Sequence, residues 1–422
     1  MSLRRLLSAA VSGNLRRSLS TATSSHPPWA IIDYTSSVDQ SSSAPTPCFR
    51  PLEPPAVSTI SASAHLLNPR ERPAPGSNVV QLLGGEVRAA SGDGHLLLSY
   101  CDLRAEAPCT SWDLCKDVET QRFVCNPLSG QMLRLPDIGG SRRTLPESLH
   151  SHMGILTQAG GGRRHGRGPP DRFAVADLVS QGGTLLRFLS DEGKWNRVVM
   201  GIRRRSMPPR NMSLNQETVA FGGRLWWVDL TLGVISVDPF RDTPEIFCTL
   251  LPSRSVLPAR APTETGDFSK DEETAKYMRE VAKYRRVGVS EGRLRYAELT
   301  PGGPFLLSSF ALDDEGRAWT LEQQVELRKV LADGGYPVQH NSAAPQIAVL
   351  DPLNACAVHL KVGEHVVVVD IHKGNVIRAS RLQDDYFSLV PCVLPPWLGT
   401  SRIPTTGKKD DMEAQDDLVI CL

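Results

Sequence analysis

Short apolar runs separated by turn-forming residues follow one another along most of the chain. Runs such as residues 96–100, 225–230 and 366–371 are bounded by Gly, Asp, Asn, Ser or Pro, which is typical of β-strands. Two segments favour helices: residues 269–284, which open with a capping box, and residues 327–333, which end at a Gly pair. The pattern therefore predicts an all-β protein with a few short inserted helices.

A Gly-x-Leu motif recurs within this pattern. It opens strands at Gly94, Gly223 and Gly292, and turn residues precede each glycine. The motif predicts a tight hairpin at each of these places, where Gly supplies a positive φ.

A second motif is a strand that ends in an Asx-Pro pair, at Asn126, Asp238 and Asp351. The Asx side chain is expected to accept hydrogen bonds from the backbone beyond it. The successive intervals are 112 and 113 residues. Two blades of about 56 residues per interval would explain this spacing, which is close to the period of kelch-like propellers, and chance recurrence is the alternative. We predict a propeller-like repeat domain of about six blades over residues 29–400, with a pair of β-sandwiches as the milder alternative.

The amino-acid composition argues against several classes of function. The chain carries 47 Lys+Arg against 46 Asp+Glu, so it lacks the positive field of proteins that coat nucleic acid or anionic membranes. Its apolar runs are too short for a transmembrane helix, and its nine cysteines show no zinc-ribbon or thioredoxin-type spacing. We expect no membrane insertion, no metal and no cofactor, and nucleic acid is not the expected partner.

The first 28 residues have the composition of an organellar targeting segment, with arginines and serines but no acidic residue. Their leucines form one stripe of a helix and basic or polar residues the opposite face, a pattern that is typical of import presequences. The residues that carry this prediction are Arg4, Arg5, Leu6, Leu7, Arg16 and Arg17. We expect the import machinery to recognise them and to bring the protein to the mitochondrion. A chloroplast location and an ordinary basic tail are the alternatives.

Two further places are candidate sites. Trp226 and Trp227 are adjacent in a predicted strand and therefore face opposite sides. We expect either that both rings pack in the core or that one of them anchors a protein partner at a binding surface. Ser206 follows three arginines, the arrangement that basophilic kinases prefer. It is a candidate phosphosite, where a phosphate would add about −1.5 to −2 charges.

We find no catalytic motif. His359, His365 and His372 can meet across a hairpin, but their spacing matches no metal-ligand pattern, and we expect hydrogen-bonded or solvated histidines. The Gly- and Arg-rich stretch 160–168 lacks the Lys-Ser/Thr ending of a phosphate-binding loop. We expect this stretch to be an insertion between strands, and a weak contact with RNA is the alternative.

A family resemblance rests on residues 221–240, which read Phe-Gly-Gly-Arg-Leu-Trp-Trp-Val-Asp-Leu-Thr-Leu-Gly-Val-Ile-Ser-Val-Asp-Pro-Phe, and on Leu-Leu-Pro at 250–252. This block resembles the plant family called domain of unknown function 1618, which is expanded in grasses, and the resemblance extends over residues 29–400. Residues 123–131 and 318–322 look like F-box-associated and kelch-like blades. The family has no established catalytic residues, so the resemblance implies none here.

Together these observations favour a non-enzymatic interaction module of a plant organelle that binds a protein partner through a propeller face. One alternative is an enzyme with a site in the central channel, where the strand ends Asp238, Asp351 or His95 would supply polar groups. The other alternative is a weak RNA binder. Residues 401–422 are expected to form an acidic loop with a candidate closing strand at 418–422.

Replacing Leu6 and Leu7 with Asp should abolish import, because it disrupts the apolar helix face and cancels positive charge. Residues 1–30 fused to a fluorescent reporter, with and without these substitutions, test the expectation by microscopy. A chloroplast signal would keep the targeting role and change the organelle. A diffuse cytosolic signal from the unchanged segment would contradict it.

Overall fold

The computed structural model shows a chain built mainly from β-strands. It describes residues 26–109, 116–144, 152–159, 168–180, 183–201, 207–258, 268–301, 305–338, 344–383 and 388–405. Strands far outnumber helices in these ranges, which confirms the predicted all-β class. The six presequence residues, Ser206 and the candidate closing strand at 418–422 lie outside the described residues.

The first eight strands belong to one sheet. They are β1 (Trp29–Asp39), β2 (Cys48–Arg50), β3 (Val57–Ser63), β4 (Val79–Ala90), β5 (Leu96–Glu106), β6 (Val118–Asn126), β7 (Gln131–Arg134) and β8 (Arg143–Thr144). Their order is β2-β3-β1-β4-β5-β6-β7, and β8 pairs with β6. β1 and β3 run parallel, whereas the other pairs run antiparallel.

The next sixteen strands form four separate sheets, each a meander of four antiparallel strands. They are β9 (Gly154–Gln158), β10 (Arg172–Ser180), β11 (Thr184–Leu189) and β12 (Lys194–Val199); β13 (Val219–Phe221), β14 (Arg224–Asp229), β15 (Gly233–Val237) and β16 (Phe247–Leu250); β17 (Arg285–Ser290), β18 (Arg293–Leu299), β19 (Leu306–Leu312) and β20 (Trp319–Glu326); β21 (Gln346–Leu350), β22 (Ala357–Val362), β23 (His365–Asp370) and β24 (Asn375–Arg381). Four-stranded meanders of this kind are the blades of β-propellers.

In the described ranges three α-helices interrupt the strands: α1 (Ala64–Leu67), α2 (Phe268–Tyr284) and α3 (Leu327–Asp333). The last two confirm the two helices predicted from the sequence. Leu327, Val330 and Leu331 of α3 are buried in one apolar cluster with residues of β21 to β23. No helix in the described ranges is long and apolar enough to cross a membrane.

The last described strand, β25 (Leu389–Val393), returns to the first sheet and pairs antiparallel with β1. The pairing runs from Trp29 opposite Val393 to Asp33 opposite Leu389, and the Tyr34 N–H extends it by donating to the Ser388 carbonyl at 3.0 Å. β1 then pairs with β4 through two residues only. The first and last described strands therefore lie in one sheet.

Contacts between sheets run in a closed cycle through the innermost strands. β4 touches β9, and β9 touches β13; β13 touches β17, β17 touches β21, β21 touches β25, and β25 touches β4. Apolar clusters fill the spaces between neighbouring sheets. This arrangement is the propeller-like repeat domain that the sequence predicts. The number of six blades stays a prediction, because the nine-stranded sheet combines strands of more than one repeat.

The Gly-x-Leu prediction is confirmed. Gly94 lies in the turn between β4 and β5, Gly223 between β13 and β14, and Gly292 between β17 and β18, with φ of +95°, +72° and +70°. All three turns join the first and second strands of a four-stranded repeat, so the motif marks equivalent places in the fold.

The Asx-Pro prediction is confirmed for the hydrogen bonds and corrected for the spacing. The Oδ1 atoms of Asn126, Asp238 and Asp351 each accept backbone N–H bonds of 2.8–3.2 Å. Asn126 and Asp238 end or follow a third strand, whereas Asp351 follows β21, the first strand of its sheet. The equivalent residue of the last sheet is Asp370, which ends β23 and accepts two such bonds. The second interval therefore joins non-equivalent positions.

Ending the chain at Leu382 should abolish cooperative unfolding, because it removes β25 and leaves residues 29–33 of β1 without their antiparallel partner. Ending it at Thr405 should leave the melting temperature near that of the full chain, because β25 is retained. Thermal unfolding followed by circular dichroism compares the two chains. A cooperative transition in the shorter chain would show that β25 is not needed for closure.

Candidate functional site

Trp226 and Trp227 on β14 are both buried. Trp227 is fully buried and Trp226 is 6% exposed. Trp227 Nε1 donates to the His152 carbonyl at 2.7 Å, and Trp226 Nε1 donates to the Phe221 carbonyl at 3.0 Å. The two rings belong to the apolar clusters on opposite sides of their sheet. Both side chains therefore pack in the core, and neither forms an exposed anchor for a partner.

His359 and His365 have separate environments. The prediction that the histidines are hydrogen-bonded or solvated is wrong for His359, because its ring is buried and neither ring nitrogen has a hydrogen-bond partner among the described residues. His359 is buried with its ring edge-on to Trp29, the centroids 5.2 Å apart, and His365 instead packs against Tyr336 at 5.5 Å. Burial lowers the pKa of His359 to about 3, so its ring is neutral at physiological pH. In the ranges that the structure describes, no three metal-binding side chains come together.

The strand ends considered for an enzyme site each serve a local turn. Asp238 lies 3.4 Å from Arg241 and caps its turn. Asp351 caps another turn, and burial raises its pKa to about 6. His95 Nδ1 lies 3.1 Å from Asp93 Oδ1. The residues named for the central channel therefore have structural roles.

The structure brings another set of ionisable side chains together, where β1 passes from β25 to β4. The Tyr34 hydroxyl donates to Glu86 Oε2 at 3.0 Å and accepts from Arg88 Nη1 at 3.2 Å. Arg88 Nη2 lies 2.7 Å from Glu86 Oε2. The β4–β5 pairing shifts between Val87 and Ala89, so Arg88 occupies a bulge, a feature that re-aims side chains. Burial raises the pKa of Tyr34 and keeps its hydroxyl protonated.

Two buried acids lie on neighbouring repeats. Glu217 forms an ion pair with Arg286, and Arg286 Nη2 also donates to the carbonyl of Leu389 in β25 at 2.7 Å. Asp177 accepts hydrogen bonds from two backbone N–H groups. Burial raises the pKa of both carboxyls, and the positive charge of Arg286 opposes that shift at Glu217.

Arg122 on β6 adds a second guanidinium near Arg88. Burial lowers the pKa of Arg122, Arg88 lowers it further, and Asp177 opposes this shift. Ser99 of β5 is paired with Glu86 on one side and Arg122 on the other, so the three residues lie in one row across the sheet. We call the whole set the interior charge cluster; its members are Tyr34, Glu86, Arg88, Arg122, Asp177, Glu217 and Arg286.

The interior charge cluster is suited to joining repeats. Its carboxyl groups pair with arginines or accept backbone N–H bonds, and the Tyr34 hydroxyl is bonded on both sides. Sequence reasoning missed these residues because they come from distant strands. No separate signal in the sequence marks them, since other polar residues stand beside them, as Glu119, Thr120 and Gln121 stand before Arg122 in β6.

The exterior presents apolar side chains on outer strands. Val199 on β12 is 79% exposed and Phe247 on β16 is 38% exposed. A parallel bridge between Gly201 and Glu245 joins these two neighbouring repeats. The Arg224 guanidinium lies over the Phe247 ring at 4.5 Å. We call Val199, Gly201, Glu245 and Phe247 the outer patch.

Replacing Glu217 with Leu should lower the free energy of unfolding by about 3–5 kcal/mol, because it leaves the Arg286 charge buried without its partner. Replacing both residues, Glu217→Leu with Arg286→Met, should lower the free energy of unfolding by less than the single change does, since no unpaired charge remains. Denaturant unfolding of both variants measures the difference. Losses that simply add would contradict the coupling of this pair.

Comparison with solved structures finds matches at low identity. Apo AztD from Citrobacter koseri is 10% identical over 75% of this chain and 88% of that chain, with a TM-score of 0.31. The β-propeller domain of Cps50 (Swd1) from Myceliophteria thermophila is 10% identical over 74% and 87%, with a TM-score of 0.28. A putative 6-phosphogluconolactonase from Bacteroides fragilis is 11% identical over 86% and 97%, with a TM-score of 0.30. Similarity at this level says nothing about activity or partners.

No curated protein matches the chain. A family model does match part of it, and the matched part begins at Trp227, inside the block that carries the resemblance found in the sequence. From there it continues into β23. Residues 227–368 are thus similar to the family described as protein of unknown function (DUF1618), which supports the family resemblance over this part of the chain.

Proposed function

We propose that this protein is a non-enzymatic interaction module that binds a protein partner through the outer surface of its propeller-like domain, at the outer patch. The observation that carries the proposal is the exposure of Val199, 79% of whose surface is open to solvent on an outer strand. Val199 lies two residues before the parallel bridge between Gly201 and Glu245, and Phe247 lies two residues after it, so the two side chains mark the ends of the patch. Exposed apolar side chains on the outer strands of neighbouring repeats mark a candidate protein-binding surface.

Phe247 adds a fixed aromatic ring to this surface. Arg224 Nε donates to Ser236 Oγ at 3.0 Å, and its Nη2 donates to the Ser236 and Glu245 carbonyls at 2.9 and 3.2 Å. These bonds hold the guanidinium over the ring at 4.5 Å. An aromatic ring and an arginine that are ordered before binding lose little side-chain entropy on association, and both types are enriched at binding hot spots.

The interior supports an interaction module over an enzyme. The ionisable groups near the centre of the ring pair with one another, as Tyr34 does with Glu86 and Glu217 with Arg286. A substrate that bound these groups would have to displace the hydrogen bonds and ion pairs that they already make. The outer surface is therefore the better binding site.

The location of the module is part of the same proposal. The basic, acid-free presequence supports import into the mitochondrion, with the chloroplast as the alternative. The sequence resemblance at residues 221–240 supports a plant protein of the grass-expanded family, with blades of the kelch-like type. Phosphorylation of Ser206 would add negative charge to the segment that follows Gly201 of the outer patch.

Substitutions on the outer patch test partner binding. Val199→Asp and Phe247→Ala should each reduce recovery of a specific partner from organellar extract by about tenfold or more, because hot-spot residues contribute at least about 2 kcal/mol. Ile377→Asp on β24 is the matched control, since Ile377 is 47% exposed on the outer strand of another sheet. Quantitative mass spectrometry of the captured proteins measures recovery.

Thermal unfolding of all three variants ensures that a lost partner does not reflect a lost fold. A partner captured equally by the wild type, the two patch variants and the control would refute binding at this patch. A metabolite that copurifies with the protein in place of any partner would favour the enzyme alternative.

A further inference from the structure

A cavity of about 380 Å³ opens between the segment 69–77 and β4. It lies apart from both the interior charge cluster and the outer patch. Part of its wall is apolar, formed by Pro69, Pro73 and Leu83 among others. A volume in this range is typical of sites for small molecules.

Hydrogen bonds fix the segment that forms one wall. Arg70 Nη1 donates to both carboxylate oxygens of Asp117 at 2.9 Å, and its Nη2 donates to the Asp102 carboxylate at 3.1 Å. The backbone N–H of Arg70 donates to the other Asp102 oxygen at 2.9 Å. Arg104 donates to the Glu71 carbonyl. The cavity is therefore formed before any ligand enters.

The polar lining is rich in donors and contains no carboxylate. Arg72 and Gln40 lie at its mouth, and Arg72 Nη2 donates to Gln40 Oε1 at 3.0 Å. Because a guanidinium can only donate, this bond fixes the Gln40 carbonyl toward Arg72 and leaves the Gln40 amide nitrogen as a donor. Ser77 adds a hydroxyl to the same lining. Arg70 is neutralised by its two aspartates, whereas Arg72 makes no ion pair among the described residues.

We propose that this cavity binds a small organic anion, with an apolar body against Pro69, Pro73 and Leu83 and an oxyanion on Arg72 and Gln40. An arginine beside an amide donor is suited to a carboxylate or a phosphate, because both groups accept two parallel hydrogen bonds. The apolar wall selects ligands that carry the anion on a hydrocarbon or aromatic body. This site is independent of partner binding at the outer patch.

Benzoate and benzamide are matched probes, since they share a ring and differ in charge. We expect benzoate to bind the full chain at least about tenfold more tightly than benzamide, measured by isothermal titration calorimetry. Arg72→Gln should weaken benzoate by about tenfold and leave benzamide unchanged, because only the charged hydrogen bonds are lost. Arg72→Lys should retain part of the preference, since it keeps the charge without the planar fork.

Arg381→Gln is the control for loss of positive charge elsewhere, because the Arg381 side chain is 74% exposed and pairs with Glu364 on the surface. It should leave benzoate binding unchanged. Phenyl phosphate compared with benzoate distinguishes a phosphate ligand from a carboxylate ligand. Equal binding of benzoate and benzamide, unchanged benzoate affinity in Arg72→Gln, or no heat from either anion at about 10 mM would overturn the proposal.

Discussion

The pairing of β25 with β1 is the interaction on which the rest of the structure depends. Each sheet packs its apolar faces against its neighbours in the cycle, so an open ring would leave the apolar faces of its two terminal repeats exposed. The pairing joins Trp29 to Val393 and places Ile31 in one apolar cluster with Val349 and Val366 of the adjoining sheet. Burial of such side chains contributes about 1.5–3 kcal/mol each, so closure stabilises both repeats that it brings together.

The interior charge cluster ties this closure to the other sheets. Arg286 on β17 reaches both Glu217 and the first residue of β25, so one guanidinium connects three parts of the chain. A buried ion pair adds little net stability, but removing one partner is costly. The positions of neighbouring sheets are therefore mutually dependent.

The sequence predicted the parts of the fold that depend on local patterns. The turns at Gly94, Gly223 and Gly292 were predictable because a positive φ favours glycine, and α2 and α3 because helical periodicity is local. The Asx turns were also predictable, but their spacing gave a wrong repeat interval. Asp351 has the same local chemistry as Asp238 but lies at a different place in its sheet. The interior charge cluster and the outer patch could not be predicted, since both depend on which distant strands become neighbours.

Ring closure by the last described strand also imposes an order in time on folding. β1 is among the first parts of the domain to be synthesised, and its antiparallel partner is complete only at Val393. Pairing across such a sequence separation is slow, because the chain loses the entropy of loop closure before any stabilising contact forms. Until then the edge of β1 that carries Ile31 and Ile32 can pair with the edge of another chain. In a nascent chain this edge of β1 therefore stays without its native partner until Val393 has left the ribosome.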